Sequence, residues 1–209
     1  MKLQLALDRL NWETCFALVE DTSDAIDIIE IGTGVIKEYG MEIVRQMRKA
    51  FPRHTLLADM KICDAGKHEA RQAFAAGADI ATVMAFAPAA TIAETLSVAS
   101  QEGKEMMVDL LGVDKTEQVK ALKEQGVSFV GLHLGKDEQQ HKQLGQGLFQ
   151  LVEGTGLKTA IAGGVTVESL PVILPYRPDV IIVGSGVTKA EKPKEAAMHI
   201  KKRMIASSG

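Results

Sequence analysis

Three charged residues within six positions, Asp59, Lys61 and Asp64, form the group with the clearest chemical potential in the sequence. They follow the apolar residues 56–58, a run typical of a buried β-strand. Because side chains alternate along a strand, Asp59 and Lys61 are predicted to share one face. A carboxylate and an ammonium group placed there would keep each other charged and could face a substrate, with Asp64 on the following loop. The alternative is a structural ion pair, with Asp64 as a helix N-cap.

Glu30 is a second unusual carboxylate, because it interrupts a segment, residues 26–31, that otherwise reads as a buried strand. A lone buried carboxylate is costly, so a partner is expected. Glu30 and Asp59 end neighbouring strands, and Mg²⁺ commonly takes one or two carboxylates plus water and substrate oxygens. Asp8 and Asp109 end other strands and would enlarge this acidic rim. The alternative is that one carboxylate pairs only with Lys61 and another caps a helix.

His133 ends a further apolar segment and is a candidate general acid or base near neutral pH. A histidine at such a position can also be structural, and the two readings stay open. Lys136, on the loop after this segment, is a further candidate for substrate contact.

Glycines follow the last two apolar segments, at Gly163 and Gly164 and again at Gly184 before Ser185. In barrels, the loops after the last two strands frequently bind phosphate through backbone amides, and glycine permits that close approach. Glycine also simply terminates strands, which is the alternative. The sequence contains no P-loop, and Gly32-Thr33-Gly34, after the second strand, lacks the third glycine of a dinucleotide fingerprint, so nucleotide cofactors are not expected.

Eight short apolar segments must position these residues, and each is rich enough in Val, Ile, Leu or Ala to be buried on both faces. They end at Asp8, Gly32, Lys61, Met84, Leu110, His133, Gly164 and Gly184. The intervening stretches have helical spacing, as in the apolar set Ile36, Ile43, Val44 and Met47. The 209 residues provide about 26 per βα unit. The sequence therefore predicts the α/β class and a single-domain (β/α)8 TIM barrel over residues 1–209, with a doubly wound sheet as the alternative.

The amino-acid composition limits the classes of molecule that the protein is expected to bind. The chain has 24 Lys plus Arg against 27 Asp plus Glu, a net charge of −3, and only 4% aromatic residues. This balance disfavours nucleic acid and anionic membrane surfaces but allows a small anionic metabolite. Two cysteines without metal-ligand spacing suggest neither a disulfide framework nor a zinc site. The absence of a signal peptide or long apolar run in this sequence leads us to expect a cytoplasmic protein.

The segments that carry these residues together resemble the 3-hexulose-6-phosphate synthases of the orotidine 5′-phosphate decarboxylase superfamily. The resemblance extends from Met1 to Met204 and is carried by LQLALD, IIEIGT, LADMKICDAG, ADIATVMA, HLGKD, AIAGGV and VIIVGSGV. Its most specific element is the DxKxxD motif at Asp59, Lys61 and Asp64.

The resemblance implies a lyase that uses Mg²⁺, with Mn²⁺ as the alternative ion. The reaction would join D-ribulose 5-phosphate and formaldehyde through an enediolate, giving D-arabino-hex-3-ulose 6-phosphate. It also implies a homodimer in which Asp64 reaches the partner's active site. The implied roles are metal binding by Glu30 and Asp59, catalysis by Lys61, Asp64 and His133, and substrate binding by Asp8, Lys136, Gly163, Gly164, Gly184 and Ser185.

Two departures separate the sequence from the related 3-keto-L-gulonate-6-phosphate decarboxylases. Those resemble HRSRD and AGRS where this chain has HLGKD and VGSG, so Lys136 and Ser185 replace arginines. Leu134 and Lys136 also depart from the HTGYD of typical synthases. A decarboxylase of this type is therefore the nearest alternative function, and a non-catalytic sugar-phosphate-binding barrel is the next.

Overall fold

Eight parallel strands form a closed barrel in the computed structural model, which describes residues 1–137 and 144–207. Each strand pairs with the next along the chain, and the eighth pairs with the first. The strands are β1 (Lys2–Leu7), β2 (Ile28–Ile31), β3 (Thr55–Ile62), β4 (Ile80–Met84), β5 (Glu105–Asp109), β6 (Phe129–His133), β7 (Lys158–Ala162) and β8 (Val180–Val183). The closed order confirms the predicted (β/α)8 barrel, because a doubly wound sheet would be open.

Helices cover the outside of the barrel. In the described ranges they are α1 (Trp12–Thr22), α2 (Thr33–Tyr39), α3 (Met41–Ala50), α4 (Gly66–Ala75), α5 (Ala89–Glu102), α6 (Thr116–Glu124), α7 (Gln146–Gln150), α8 (Leu170–Ile173), α9 (Ser185–Thr188) and α10 (Pro193–Ala206). Gly40, with φ 64°, separates α2 from α3, so the apolar face predicted across this stretch belongs to two helices rather than one. None of the helices described is long and apolar enough to cross a membrane.

The centre of the barrel is apolar, whereas the rim at the carboxyl-terminal ends of its strands is polar. One residue or two from each strand fill the interior, namely Ala6, Ile28, Leu57, Ile80, Met107, Phe129, Ala160, Val180 and Ile182. Because residues i and i+2 lie on the same face of a strand, the inward positions above four of these are polar: Glu30, Asp59, Thr82 and Asp109. Strand alternation thus places the candidate residues at the carboxyl-terminal mouth of the barrel, where barrel enzymes have their active sites.

Charged residues at the opposite end of the barrel hold the strands together. Asp79, just before β4, accepts the backbone N–H of Leu56 at 3.0 Å and the ammonium group of Lys104 at 2.8 Å, and it pairs with Arg48. Asp27 accepts the N–H of Leu3 in the same way. These ion pairs are built from strand starts and helix ends, so their role is structural.

Candidate active site

Asp109, at the end of β5, joins two of the predicted catalytic residues. Its Oδ2 atom lies 2.5 Å from Nζ of Lys61 and 3.0 Å from Nδ1 of His133. Burial by itself raises the pKa of this carboxyl, but the hydrogen bond and charge of His133, together with those of Lys61, lower it to about 2. Asp109 is therefore a fixed negative charge that orients both side chains.

Lys61 lies between two carboxylates. Besides its contact with Asp109, its Nζ atom is 3.3 Å from Oδ2 of Asp59. Burial favours the neutral amine, but the charges of Asp59 and Asp109 outweigh it and raise the pKa of Lys61 above its ordinary value. Lys61 is thus a permanent cation at neutral pH, suited to stabilising negative charge and unsuited to acting as a general base.

The backbone of β3 is irregular at the point where it presents these side chains. Lys61 has φ 49°, a left-handed conformation that is unusual for a residue other than glycine. The pairing of β3 with β4 shifts register between Ala58 and Ile62. The prediction that Asp59 and Lys61 share a face is confirmed, but a bulge rather than regular alternation brings them together, as is common beside active sites.

Glu30, at the end of β2, is buried with the side-chain amide of Gln4 as its hydrogen-bond partner. The Nε2 atom of Gln4 donates to Oε2 of Glu30 at 2.6 Å. Burial raises the pKa of Glu30 well above its usual range, and the negative charges of Asp59 and Asp8 raise it further. Two like-charged groups in one buried site are unfavourable unless a cation lies between them.

The donors fit a divalent ion that is held partly by protein and partly by water and substrate. No group of three or more His, Cys, Asp and Glu side chains in the described ranges forms a complete metal cage. The buried carboxylates of Glu30 and Asp59 provide two oxygen donors, and their mutual repulsion would be relieved by a cation. Mg²⁺ usually binds through one or two carboxylates and keeps its remaining positions for water or substrate. The predicted ligand pair is therefore chemically suitable.

Asp8 lies at the rim of the same mouth, beyond β1. Gly32 makes room for it, because a Cβ atom at position 32 would lie 2.0 Å from Oδ1 of Asp8. Partial desolvation of the carboxylate at the barrel mouth and the charge of Asp59 raise the pKa of Asp8, while Arg9 and Lys61 act in the opposite direction. The structure thus places Asp8 beside the predicted metal ligands, where substrate hydroxyl groups could reach it.

Two predicted residues lie at the edge of this cluster. Asp64 is exposed between β3 and α4, and its Oδ1 atom accepts the N–H of Ala65 at 2.7 Å. It lines a surface groove with residues of α4 and with Thr91 and Glu94 of α5. Lys136 is exposed beyond β6. Asp64 and Lys136 are thus exposed, whereas Lys61 and His133 are partly buried and both contact Asp109.

The glycines after β7 and β8 bring two loops close to the barrel backbone. Gly163 has φ 116°, and a Cβ atom there would lie 2.5 Å from the carbonyl oxygen of Leu134. Gly164 has φ 72°, and Gly184 precedes α9, whose first residue is Ser185. Glycine is required at position 163 by both its conformation and its neighbours.

Three polar residues of the site had no predicted role: Gln4, Thr33 and Thr82. Asp109 was predicted as part of the acidic rim, but its contacts with both Lys61 and His133 were not. The hydroxyl of Thr33 lies 2.7 Å from Oδ2 of Asp59, and the hydroxyl of Thr82 lies 2.8 Å from Oδ1 of the same residue. The sequence does carry a signal for Gln4, Thr82 and Asp109, since each is a polar residue at an inward position of a buried strand.

Asp109→Asn is expected to destabilise the protein by about 2 kcal/mol at pH 7, because folding lowers the pKa of Asp109 from its ordinary 3.8 to about 2. A group with a lowered pKa stabilises the fold above its unfolded pKa, so the difference should narrow as the pH falls from 4 towards 2. Urea unfolding across this pH range measures it, with the exposed Asp114→Asn as control. A constant difference below pH 4 would contradict the prediction.

The chain is similar to proteins of known name over its whole length. It is 36% identical over 208 residues to the 3-hexulose-6-phosphate synthase of Bacillus subtilis (strain 168), covering 98% of this chain and 99% of that protein. The solved structure of 3-hexulose-6-phosphate synthase from Salmonella typhimurium has a TM-score of 0.94 at 32% identity, covering 99% of this chain and 100% of the other.

A second group of relatives has a different name. The structure of 3-keto-L-gulonate-6-phosphate decarboxylase from Vibrio cholerae has a TM-score of 0.85 at 28% identity, covering 98% of this chain and 97% of that one. Both groups are lyases, which confirms the predicted enzyme class. The model of the orotidine 5′-phosphate decarboxylase / HUMPS family matches residues 1–200. The chain therefore belongs to the orotidine 5′-phosphate decarboxylase / HUMPS family.

Proposed function

We propose that the protein is a 3-hexulose-6-phosphate synthase, which joins D-ribulose 5-phosphate and formaldehyde in a Mg²⁺-dependent aldol reaction. One observation carries the proposal. A buried pair of carboxylates, Glu30 and Asp59, adjoins a permanent cation, Lys61, and a histidine oriented by Asp109. This combination suits a reaction in which a proton leaves carbon and negative charge develops on neighbouring oxygens.

The first step removes a proton from C1 of the sugar phosphate. Asp109 accepts the hydrogen bond of His133 Nδ1, and no described residue contacts the Nε2 atom through a hydrogen bond. Nε2 of His133 is therefore the atom that takes the C1 proton, and the electron pair of the broken C–H bond moves into the enediolate. The positive charge of Lys61, held by Asp59 and Asp109, would stabilise the enediolate oxygens.

In the second step, C1 of the enediolate forms a bond to the carbon of formaldehyde. The electron pair of the formaldehyde carbonyl moves to its oxygen, which takes a proton back from His133 and becomes the new hydroxyl group. Asp8, at the rim, accepts hydrogen bonds from sugar hydroxyl groups and holds the chain of the substrate. When bound by Glu30 and Asp59, Mg²⁺ would supply Lewis-acid stabilisation of two adjacent sugar oxygens.

The phosphate site is proposed at the backbone around Gly163, Gly164, Gly184 and Ser185, since small residues there allow close approach. Gly163→Ala is expected to raise KM for the sugar phosphate by ~10-fold, because the new Cβ atom would displace the loop from Leu134. Steady-state kinetics measure it. Gly147→Ala, at a position with open space around it, is the control. An unchanged KM in folded Gly163→Ala would remove this loop from the phosphate site.

A homodimer with shared sites is part of the proposal, since Asp64 is exposed and its side chain accepts the N–H of Ala65 rather than contacting Lys61 of its own chain. We expect a heterodimer of one Lys61→Met and one Asp64→Ala subunit to retain about half of wild-type turnover, because one of its two sites has both residues. Two different affinity tags allow its purification, and each homodimeric variant provides the background. Heterodimer turnover at that background would show that the two residues act within one subunit.

The reaction itself is tested by incubating the protein with ribulose 5-phosphate, ¹³C-labelled formaldehyde and Mg²⁺. We expect the label to appear in a new hydroxymethyl carbon bonded to the former C1, detected by carbon NMR. Label that stays in free formaldehyde would refute the proposed function.

Decarboxylation of a 3-keto-hexonate 6-phosphate is the second candidate. It is favoured by the decarboxylase relatives, and the same cation and carboxylate pair would stabilise the enediolate left after loss of carbon dioxide. A third candidate, a non-catalytic sugar-phosphate-binding barrel, predicts phosphate-ligand binding that is indifferent to Mg²⁺. Calorimetry with and without the ion separates it from both enzymes.

A further inference from the structure

Thr82 is a fully buried residue in the middle of β4, opposite the irregular part of β3. On β3, three residues lie between the paired positions Ala58 and Ile62, whereas on β4 only Thr82 lies between their partners, Ala81 and Val83. The backbone ladder cannot be regular across such a difference in length. A polar side chain at this point can satisfy the backbone groups that the bulge leaves unpaired.

The hydroxyl of Thr82 makes two different hydrogen bonds. Its oxygen accepts the backbone N–H of Lys61 at 2.8 Å, and its proton is donated to Oδ1 of Asp59 at 2.8 Å. A backbone N–H can only donate, so the single hydroxyl proton is directed to the carboxylate. One oxygen atom thus fixes both a predicted metal ligand and the backbone of the cationic residue.

The bond to Lys61 matters because of the conformation it holds. At φ 49°, Lys61 is in a region that side chains other than glycine rarely occupy, and such strain persists only where the surroundings enforce it. In this conformation Nζ reaches Asp109 at 2.5 Å and Asp59 at 3.3 Å. Without the hydroxyl, the Lys61 N–H would be left without this acceptor, and the bulge would be free to relax.

We propose that Thr82 is a positioning residue, whose hydroxyl couples the orientation of Asp59 to the strained backbone of Lys61. The proposal deepens the function proposed above and rests on it for its catalytic consequence. Thr33 also contacts Asp59. Among the described residues, however, it is Thr82 whose side chain forms hydrogen bonds with both Asp59 and the Lys61 backbone.

The first test needs no substrate. Amide hydrogen exchange, followed by NMR, reports on the Lys61 N–H in the folded protein. Thr82→Val keeps the shape but removes the hydroxyl, and we expect exchange at Lys61 to accelerate at least ~10-fold. Thr82→Ser keeps the hydroxyl and should retain the protection. The control is Thr22→Val, which removes another fully buried hydroxyl, from α1, and should leave Lys61 unchanged.

The second test measures Mg²⁺ binding to the substrate-free protein by calorimetry. Because Asp59 loses an orienting partner, Thr82→Val is expected to bind Mg²⁺ ~10-fold more weakly, and Thr82→Ser about as well as the wild type. In the turnover assay, kcat of Thr82→Val should fall ~10-fold to ~100-fold with little change in KM for the sugar phosphate, since the phosphate site is elsewhere.

The results separate this proposal from the function on which it rests. Wild-type protein without turnover would refute the proposed function, whereas the exchange result would still decide the role of Thr82 at Lys61. Exchange and Mg²⁺ affinity in Thr82→Val equal to those of the wild type would overturn the positioning role. If Thr82→Val does not fold, Thr82→Ala and Thr82→Ser form a second pair that differs only in the hydroxyl, and equal behaviour of that pair would overturn it.

Discussion

Replacing Glu30 with glutamine is expected to lower kcat by at least ~1000-fold and to abolish the response of the activity to Mg²⁺. The substitution removes one of the two carboxylates that form the predicted metal site, while its size and polarity stay nearly the same. Formaldehyde fixation measured across a Mg²⁺ titration tests it, with Mg²⁺ affinity from calorimetry as a separate readout.

The same substitution is expected to stabilise the metal-free protein. Burial and the charge of Asp59 raise the pKa of Glu30 in the folded state, so this carboxyl group lowers the stability of the fold above its unfolded pKa. An amide at position 30 removes that charge and can donate to Oε1 of Gln4, a buried atom without a hydrogen-bond partner among the described residues. A Glu30→Gln protein that is more stable but inactive would indicate that the carboxylate serves function rather than stability.

The exposed Glu102→Gln on α5 is the matched control, and it should change neither activity nor stability. Full turnover with an unaltered Mg²⁺ dependence in Glu30→Gln would remove Glu30 from the metal site. It would leave the buried carboxylate without an explanation in the proposed chemistry.

Lys61→Met is the second substitution with a large expected effect, a fall in kcat of at least ~1000-fold. It removes the positive charge that we propose stabilises the developing enediolate, and it leaves Asp59 and Asp109 without the cation that contacts both. Lys61→Arg is not expected to restore activity, because the planar guanidinium group cannot replace a compact ammonium between two carboxylates. Single-turnover kinetics and exchange of the substrate C1 hydrogen with solvent measure the chemical step.

The control is Lys49→Met at an exposed position on α3. Because the pKa of Lys61 is raised, Lys61 stays protonated from pH 5 to 9 and should not set the pH profile in that range. Lys61→Met with near-normal turnover would contradict the electrostatic role and leave the ion pairs as purely structural.

The position of the site at the barrel mouth was predictable from particular strand ends. Glu30, Asp59 and His133 each stand at an inward position of an apolar strand, and burial makes such residues costly unless they are used. Eight such segments at regular spacing indicate a barrel, and a barrel brings their ends together. The spacing of the segments therefore predicted the fold, and the polar residues at their ends predicted the side of the barrel on which the candidate site lies.

The connections within the site were not predictable in the same way. The hydrogen bonds of Asp109 to Lys61 and His133 join three strands, so they depend on the register between strands. The left-handed conformation of Lys61 has no signal in its residue type, since lysine does not favour positive φ. Gly40, which ends α2, was likewise hidden within a continuous helical periodicity.

One assay with both substrates in parallel, with Mg²⁺ and with a chelator, tests the proposed function most directly. In the presence of Mg²⁺, we expect the protein to fix formaldehyde onto ribulose 5-phosphate faster than it releases carbon dioxide from a 3-keto-hexonate 6-phosphate, and we expect the chelator to abolish the fixation. Faster release of carbon dioxide, or fixation that persists in the chelator, would contradict it.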